Sequence, residues 1–355
     1  MTAKLPDIGK ISPEIFQHLI LPHLGARDAR VLVPPQNGVD VGVIAIGDGQ
    51  VMALTTDPVF IVPAYGWERA AWFALHILAS DAATSGLKPT YLTIDLNLPL
   101  AMDMDGLTAI WTTIHRECEK LGIAIVAGHT ARYDGCDFPM VGGATVMSVG
   151  REDSYVVPTM AQAGDAVIVT KGAAIEATGL FGVSFPALVE ERCGKEMAEG
   201  AANLFWQMSV VEDAMTAVSV GVRHNGVTAM HDATECGVWG GLYEIAQAAH
   251  VGMHIDRAAI PVADAARAVC EAFDMDPYAA ISEGTLLLTC RPEKADAVVR
   301  ALAAKQIVGS IIGETLPADR GMTVTESGVD HPLVHPRVDP FWNAFGQAMA
   351  RVTGQ

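Results

Sequence analysis

Trp67-Glu68-Arg69-Ala70-Ala71-Trp72-Phe73-Ala74-Leu75-His76-Ile77-Leu78-Ala79-Ser80-Asp81-Ala82-Ala83-Thr84-Ser85 is the stretch from which the fold is read. Ala71, Phe73, Ala74, Leu75, Ile77 and Leu78 give it an apolar, helical character, and it predicts a helix over 67–85. Its uncharged run, Ala70 to Ser80, is bounded by Arg69 and Asp81 and falls well short of the roughly 18 residues that a membrane span needs. Asp81 is the informative residue, because a free carboxylate in such a helix is expensive to bury. It needs a partner or a cation.

Outward from this helix, strand-like runs occupy Val41–Ile46, Val51–Thr56, Tyr91–Leu96, Ile123–Ala127 and Met140–Val149, with a second helix over Asp105–Leu121. Ser12-Pro13-Glu14, an N-cap followed by proline at the first helical position, predicts a short entry helix that Gly25 stops. After Arg151-Glu152-Asp153 and Pro158 the pattern restarts with a strand at Ala166–Thr170. Helices are expected at Ala201–Val220, Val238–Ala249, Ala263–Ala272 and Lys294–Ala304, and strands near Met253–Ile255, Thr285–Cys290 and Ile307–Glu314. From His331 onward, Pro332, Pro336 and Pro340 suggest an extended tail ending in a short helix. The expected organisation is an α+β protein with domains at 1–155 and 156–335 and a tail at 336–355.

Its 355 residues fit two domains at roughly 100 to 200 residues each. Half the residues are hydrophobic, 18% are charged and the mean hydropathy is +0.29, which excludes intrinsic disorder. Acidic residues outnumber basic ones 41 to 23, for a formal charge of -18, and no Lys/Arg cluster interrupts the excess. Such a surface repels nucleic-acid phosphates and anionic lipid heads, so neither nucleic acid nor membrane is expected as a partner. Met1 to Lys10 has no apolar signal core. Six scattered cysteines without a C-x-x-C pair read as small buried hydrophobes in a reducing, cytoplasmic setting.

The sequence carries no G-x-x-x-x-G-K-[ST], no G-x-G-x-x-G after a strand and no H-E-x-x-H. What it carries is a series of aspartates at or near element ends: Asp40 before Val41, Asp57 after Leu54-Thr55-Thr56, and Asp81. Magnesium prefers a few carboxylates together with phosphate oxygens and water, so three aspartates on different elements fit a metal-nucleotide site; turn or capping roles are the alternative. Gly128-His129-Thr130 follows an apolar strand, where a strand-end turn or a phosphate contact are both open. Lys171-Gly172 follows a strand, where an ammonium could face phosphate, and Glu283-Gly284 precedes one. In His231-Asp232-Ala233-Thr234-Glu235 the Asp232/Glu235 spacing fits helix capping, while His231 and Asp232 together could orient substrate or phosphate.

Taken in order, these segments resemble the superfamily of aminoimidazole ribonucleotide (AIR) synthetase-related ATP-binding proteins, and within it the HypE-like carbamoyl dehydratases. The resemblance runs over roughly residues 8–335. It is carried by Gly9-Lys10-Ile11-Ser12-Pro13-Glu14, Asn37-Gly38-Val39-Asp40-Val41-Gly42-Val43-Ile44, Thr55-Thr56-Asp57 and Ser80-Asp81-Ala82-Ala83-Thr84-Ser85-Gly86-Leu87-Lys88-Pro89. Gly128-His129-Thr130, Thr170-Lys171-Gly172, His231-Asp232-Ala233-Thr234-Glu235-Cys236-Gly237 and Ser282-Glu283-Gly284 complete it. The resemblance implies a homodimer whose N-terminal mixed sheets form a barrel across the two-fold axis, with ATP and Mg2+ in a cleft.

By position, Asp40, Asp57 and Asp81 would be metal ligands. Thr56, Gly128, His129, Thr130 and Lys171 would contact nucleotide, and Glu283, His231 and Asp232 would serve catalysis. The implied chemistry is phosphoryl transfer from ATP to an amide or carbonyl oxygen of a small or protein-borne substrate. A non-catalytic nucleotide-binding maturation partner and an AIR synthetase-like cyclo-ligase stay as alternatives. HypE-like proteins carry G-D-T-K where this sequence has Gly128-His129-Thr130-Ala131, asparagine at Ser80, an acidic residue at Val39 and glycine at Cys236. They also end in a cysteine that carries the carbamoyl group, whereas this sequence reads Val352-Thr353-Gly354-Gln355, so self-modification is not expected.

Overall fold

The computed structural model describes Leu5, Ile11 and residues 13–354. Ser12, the expected N-cap, lies outside the described residues. The chain enters through a short turn, α1 (Pro13–Ile15), that widens into a π-helical stretch at Phe16–Ile20. A first sheet follows from β1 (Val31–Val33), β2 (Gly42–Gly47), β3 (Gln50–Phe60), β4 (Pro89–Leu98), β5 (Ala124–Arg132) and β6 (Met140–Arg151). Its order is β1-β2-β3-β6-β4-β5, antiparallel except for the parallel β4–β5 pair. Two helices, α2 (Trp67–Thr84) and α3 (Met104–Leu121), pack with this sheet. Gly142 on β6 cannot be replaced without moving backbone, because a Cβ there would sit 1.8 Å from the Asp95 carbonyl oxygen of β4.

The second sheet comprises β7 (Ala166–Thr170), β8 (Val227–Asp232), β9 (Val251–Asp256), β10 (Leu286–Cys290), β11 (Gly309–Pro317), β12 (Met322–Glu326) and β13 (Val329–Pro332). It runs β13-β12-β9-β11-β7-β10-β8, antiparallel apart from β12–β9. Strands β7, β8 and β10 are buried along their whole length, which explains the largely apolar runs of β7 and β10, whereas β8 buries His231 and Asp232 at its end. Ile168, Met230, Leu286 and Leu288 face one apolar cluster, and Val167, Val169, Ala229 and Leu287 face another. Helices α4 (Ile175–Ser184), α5 (Pro186–Cys193), α6 (Lys195–Leu204), α7 (Val211–Val218), α8 (Gly237–Ala249), α9 (Asp264–Ala272), α10 (Pro292–Ala304) and α11 (Pro340–Thr353) complete the chain. The larger cluster joins Ala71, Leu75 and Leu78 of α2 to Phe205, Met208 and Val210, so the two halves share one core.

The α+β, two-sheet architecture expected from the sequence is present, with four corrections. The helix expected over Ala201–Val220 is two helices, because Phe205–Gln207 form a 3-10 turn that drives Phe205 into the core between them. The Gly128-His129-Thr130 turn is no turn: β5 continues to Arg132, paired with β4 from Tyr91↔Ala124 to Leu98↔Arg132, with one register shift after Leu92 and an unbroken register from Thr93↔Ala127 onward. His231 and Asp232 end strand β8 rather than capping a helix, and α8 begins after Cys236 with no side-chain cap. The tail from Pro340 is a fourteen-residue helix that buries Phe341, Ala344 and Ala348. Among the described residues no helix is long and apolar enough to cross a membrane.

Candidate functional site

Asp81 lies in the last turns of α2, buried, and accepts a hydrogen bond from Thr55 Oγ1 of β3 at 3.2 Å. Strand periodicity of two places Thr55 and Asp57 on the same face of β3, toward α2, while Thr56 faces away and donates to the Ala144 carbonyl of β6 at 3.0 Å. Thr55 was not among the residues singled out from the sequence, although alternation from Asp57 carries the signal for it. Burial pushes the Asp81 carboxyl well above its ordinary value, and the nearby Asp232, Asp57 and Asp40 push it further. Asp40 comes from the loop before β2, Asp57 from β3, Asp81 from α2 and Asp232 from the second sheet, so the cluster draws carboxylates from both halves of the chain.

His231 sits at the centre of this charge. Its Nδ1 lies 2.8 Å from Asp40 Oδ2 and 3.6 Å from Asp232 Oδ1, and its Nε2 lies 2.7 Å from Glu244 Oε2 of α8. Burial alone would lower the imidazole pKa, but Asp40 foremost, with Asp232 and Glu244, holds it well above the ordinary value, which favours the protonated ring. Burial disfavours the Asp232 carboxylate, yet His231 keeps its pKa below the usual range. One ligand atom each from Asp40, His231 and Asp232 lie within 4.8 Å of one another. Glu244 was not anticipated from sequence, since a helix carboxylate twelve residues beyond Asp232 leaves no local pattern.

Glu283 borders the same cluster. Its backbone N–H donates to Glu176 Oε2 at 3.0 Å, and burial first, then Asp232 and Glu176, raises its carboxyl well above the carboxylate range. Glu176 is itself pushed up to about 8, chiefly by burial. Gly284 is required beside it: with φ +97°, a Cβ there would meet the Gln207 carbonyl oxygen at 2.3 Å. Both oxygens of Asp232 and Oε2 of Glu283 are buried without a hydrogen-bond partner among the described residues. Hard oxygen donors left unmatched in a buried acidic cluster are what a Mg2+ ion would satisfy, so the residues fit that ion.

The other sequence candidates lie elsewhere. The Lys171 ammonium is bound by the Ser209 carbonyl at 2.7 Å and by Asp213 Oδ2 at 3.0 Å, and none of its hydrogen bonds among the described residues reaches the aspartate cluster. Gly128, His129 and Thr130 are exposed on the edge strand β5, where His129 Nε2 and the Tyr133 hydroxyl stand 2.9 Å apart. Ser80, next to Asp81, accepts from the Val210 amide at 3.0 Å and so ties α2 to the segment leading into α7.

Two mixed sheets meeting through α2, with carboxylates from both converging beside it, define a class of two-domain α+β proteins with an acidic interdomain site. The chain belongs to the AIR synthase related protein family, whose N-terminal domain it matches over residues 38–161 and whose C-terminal domain it matches over 162–325. It is 27% identical over 281 residues to the carbamoyl dehydratase HypE of Bradyrhizobium diazoefficiens, covering 76% of this chain and 75% of that protein. To the carbamoyl dehydratase HypE of Escherichia coli it is 26% identical over 301 residues, covering 83% and 85%.

Among solved structures, HypE in a HypE–HypF complex matches with a TM-score of 0.71 at 19% identity, over 91% of this chain and 99% of that one. A HypE bound to ATP matches at 0.63 and 21%, over 93% and 97%. A ThiL complexed with AMPPCP and TMP matches at 0.64 and 20%, over 82% and 88%. At these identities the structural matches establish the fold.

Proposed function

We propose that this chain is an ATP- and Mg2+-dependent enzyme of HypE type that activates an amide or carbonyl oxygen by phosphoryl transfer. The observation that carries the reading is the convergence of Asp40, Asp57 and Asp81 with His231 and Asp232, the last of which keeps both carboxylate oxygens buried without a hydrogen bond among the described residues. Asp40, Asp57 and Asp81, with Asp232, would hold Mg2+, which offsets phosphate charge when bound. ATP is drawn in by likeness to HypE, one structure of which is in complex with ATP. His231 holds a proton between Asp40 and Glu244 and gives the site its fixed positive charge. Glu283, buried beside Asp232, is the group placed to exchange a proton with the substrate amide as its oxygen becomes a leaving group.

The acceptor follows from the same likeness: a small or protein-borne amide, presented by a partner protein as the HypE–HypF complex suggests for that relative. We further assign a homodimer through the first sheet, where β5 is an edge strand exposed at most of its residues, Val126 among them, with Tyr133 exposed just beyond its end. Calorimetric titration with ATP and Mg2+, with Asp81→Ala alongside, tests the reading. Micromolar binding abolished by the substitution is expected. Absence of both binding heat and melting shift in the parent protein overturns it, because ligand binding to the folded state must stabilise that state.

A further inference from the structure

The C-terminal helix reaches the site through one buried carboxylate. Asp339 is 3% exposed and caps α11 through Oδ1, which accepts from the Phe341 amide at 2.9 Å. Capping needs only that oxygen. The other, Oδ2, accepts at 2.7 Å from the amide of Cys236, 103 positions earlier in the chain, and the amide of Ile281 donates to the same carboxylate. Cys236 follows Asp232 by four residues, and Ile281 precedes Glu283 by two. Both loops that carry the candidate acid-base groups therefore end on Asp339.

Neither loop has other slack at this point. Cys236 holds φ +63°, a left-handed conformation that is costly for a residue with a side chain and that persists only where its surroundings enforce it. A Cβ on the adjoining Gly237 would meet the Ala280 carbonyl at 2.4 Å, so the two loops already touch. Trp342 Nε1 donates to Glu235 Oε1 at 3.2 Å, adding a second tie to the first loop. The helix that presents Asp339 and Trp342 is anchored apart from the site: Phe341 is 1% exposed and packs on Phe181, and the Phe345 ring packs tilted against Phe185 with centroids 4.8 Å apart.

We propose that Asp339 is a positioning residue, fixing the Asp232–Cys236 and Ile281–Glu283 segments relative to each other from a helix outside the site. Its kinetic consequence rests on the nucleotide reading above; its structural consequence does not. Asp40, Asp57 and Asp81 stand on elements that Asp339 does not touch, so three of the four residues proposed to hold Mg2+ keep their places without it, whereas the placement of Asp232 against Glu283 depends on it. Misplacement of a reacting group by about 1 Å costs up to about 100-fold in rate.

The test compares the full chain with Asp339→Asn, which presents an N–H2 where a carboxylate oxygen accepts. Amide hydrogen exchange at Cys236 and Ile281 is followed with the core strand β7 as internal reference, and basal hydrolysis of ATP with Mg2+ is measured in parallel. Exchange at both amides is expected to accelerate about tenfold or more with β7 unchanged, and kcat to fall about tenfold, by more than ATP affinity falls. Unchanged exchange at both amides overturns the proposal, and so does uniform acceleration that includes β7, which is loss of stability alone. A parent protein that does not turn over ATP counts against the nucleotide reading, and the exchange result then decides the role of Asp339 by itself. If Asp339→Asn does not fold, the parent decides: Cys236 and Ile281 amides protected well beyond the exposed turn at Gly328 support the proposal, and exchange as fast as at Gly328 overturns it.

Discussion

Glu176→Gln should make the protein more stable in alkali and leave it nearly unchanged in acid. Burial lifts the Glu176 carboxyl from an ordinary 4.5 to about 8, so the folded chain keeps a proton there that the unfolded chain releases. Between those two values the folded state binds about one more proton than the unfolded one, and stability falls by about 1.4 kcal/mol per pH unit. The full interval sets a ceiling of about 5 kcal/mol. The Glu176 side chain keeps some access to solvent, and structural relaxation lowers the penalty further, so about 2 to 3 kcal/mol is expected.

Glutamine cannot ionise but retains a carbonyl oxygen for the Glu283 amide, so the variant removes the titration and spares the hydrogen bond. Denaturant unfolding of both proteins at pH 5, 6, 7, 8 and 9, in chelator, gives the difference directly. The two curves should nearly coincide at pH 5 and diverge in favour of the variant up to about pH 8, then run parallel. Curves that stay within about 0.5 kcal/mol of each other throughout, or a parent that gains on the variant as pH rises, would refute the reasoning.

His231→Gln removes the buried cation between Asp40, Asp232 and Glu244, and should destabilise the metal-free protein by about 3 kcal/mol, read from unfolding at pH 7; a change under about 1 kcal/mol would contradict the charge assignment. Glu117 is held down at about 2, foremost by its contact with His76 and then by burial-opposed bonds to Lys120 and Arg116. Because Lys120 and Arg116 are largely exposed, Glu117→Gln should cost only about 1 to 2 kcal/mol at pH 7, an effect fully present above the ordinary 4.5 and lost as pH falls through about 2. Acid titration of both proteins checks it, and a cost that persists at pH 2 would exclude ionisation as its cause. Gly142→Ala drives a Cβ into the Asp95 carbonyl and should break the β4–β6 register at a cost of about 3 kcal/mol or more, visible as lost cooperative unfolding; a variant within about 1 kcal/mol of the parent would disprove that close approach.

What could be read in advance was whatever has a period. α2 was legible because its apolar spacing and its single buried acid both survive into the structure, and β7 matched its expected ends because a strand buried on both faces is an unbroken apolar run. His231 and Asp232 were harder: capping-box spacing to Glu235 is a local pattern, and it competed with a strand whose partner, β10, lies more than fifty residues away. Long-range pairing won, as it did for β5, where pairing with β4 carried the chain through Gly128-His129-Thr130 without a turn. Glu244 and Glu176 gave no local signal, and Asp339 before Pro340 carries only that of a helix start. Each matters through a contact with a residue on another element, and such contacts are properties of the packing rather than of the surrounding sequence.

The position of Asp81 shows why this site could not be assembled within one half of the chain. On α2, Ser80 holds the Val210 amide of the second half while Asp81, the next residue, accepts from Thr55 of the first sheet. A rotation of α2 large enough to release either contact disturbs the other, because successive residues on a helix are fixed about 100° apart. Interdomain packing and carboxylate placement are therefore set by the same helix turn. The mutual repulsion of Asp81, Asp57, Asp40 and Asp232 is concentrated where that turn meets both sheets, and His231 only partly offsets it. A cation bound there would relieve a strain shared by the two halves, so its binding energy would act on their junction as well as on the ligand.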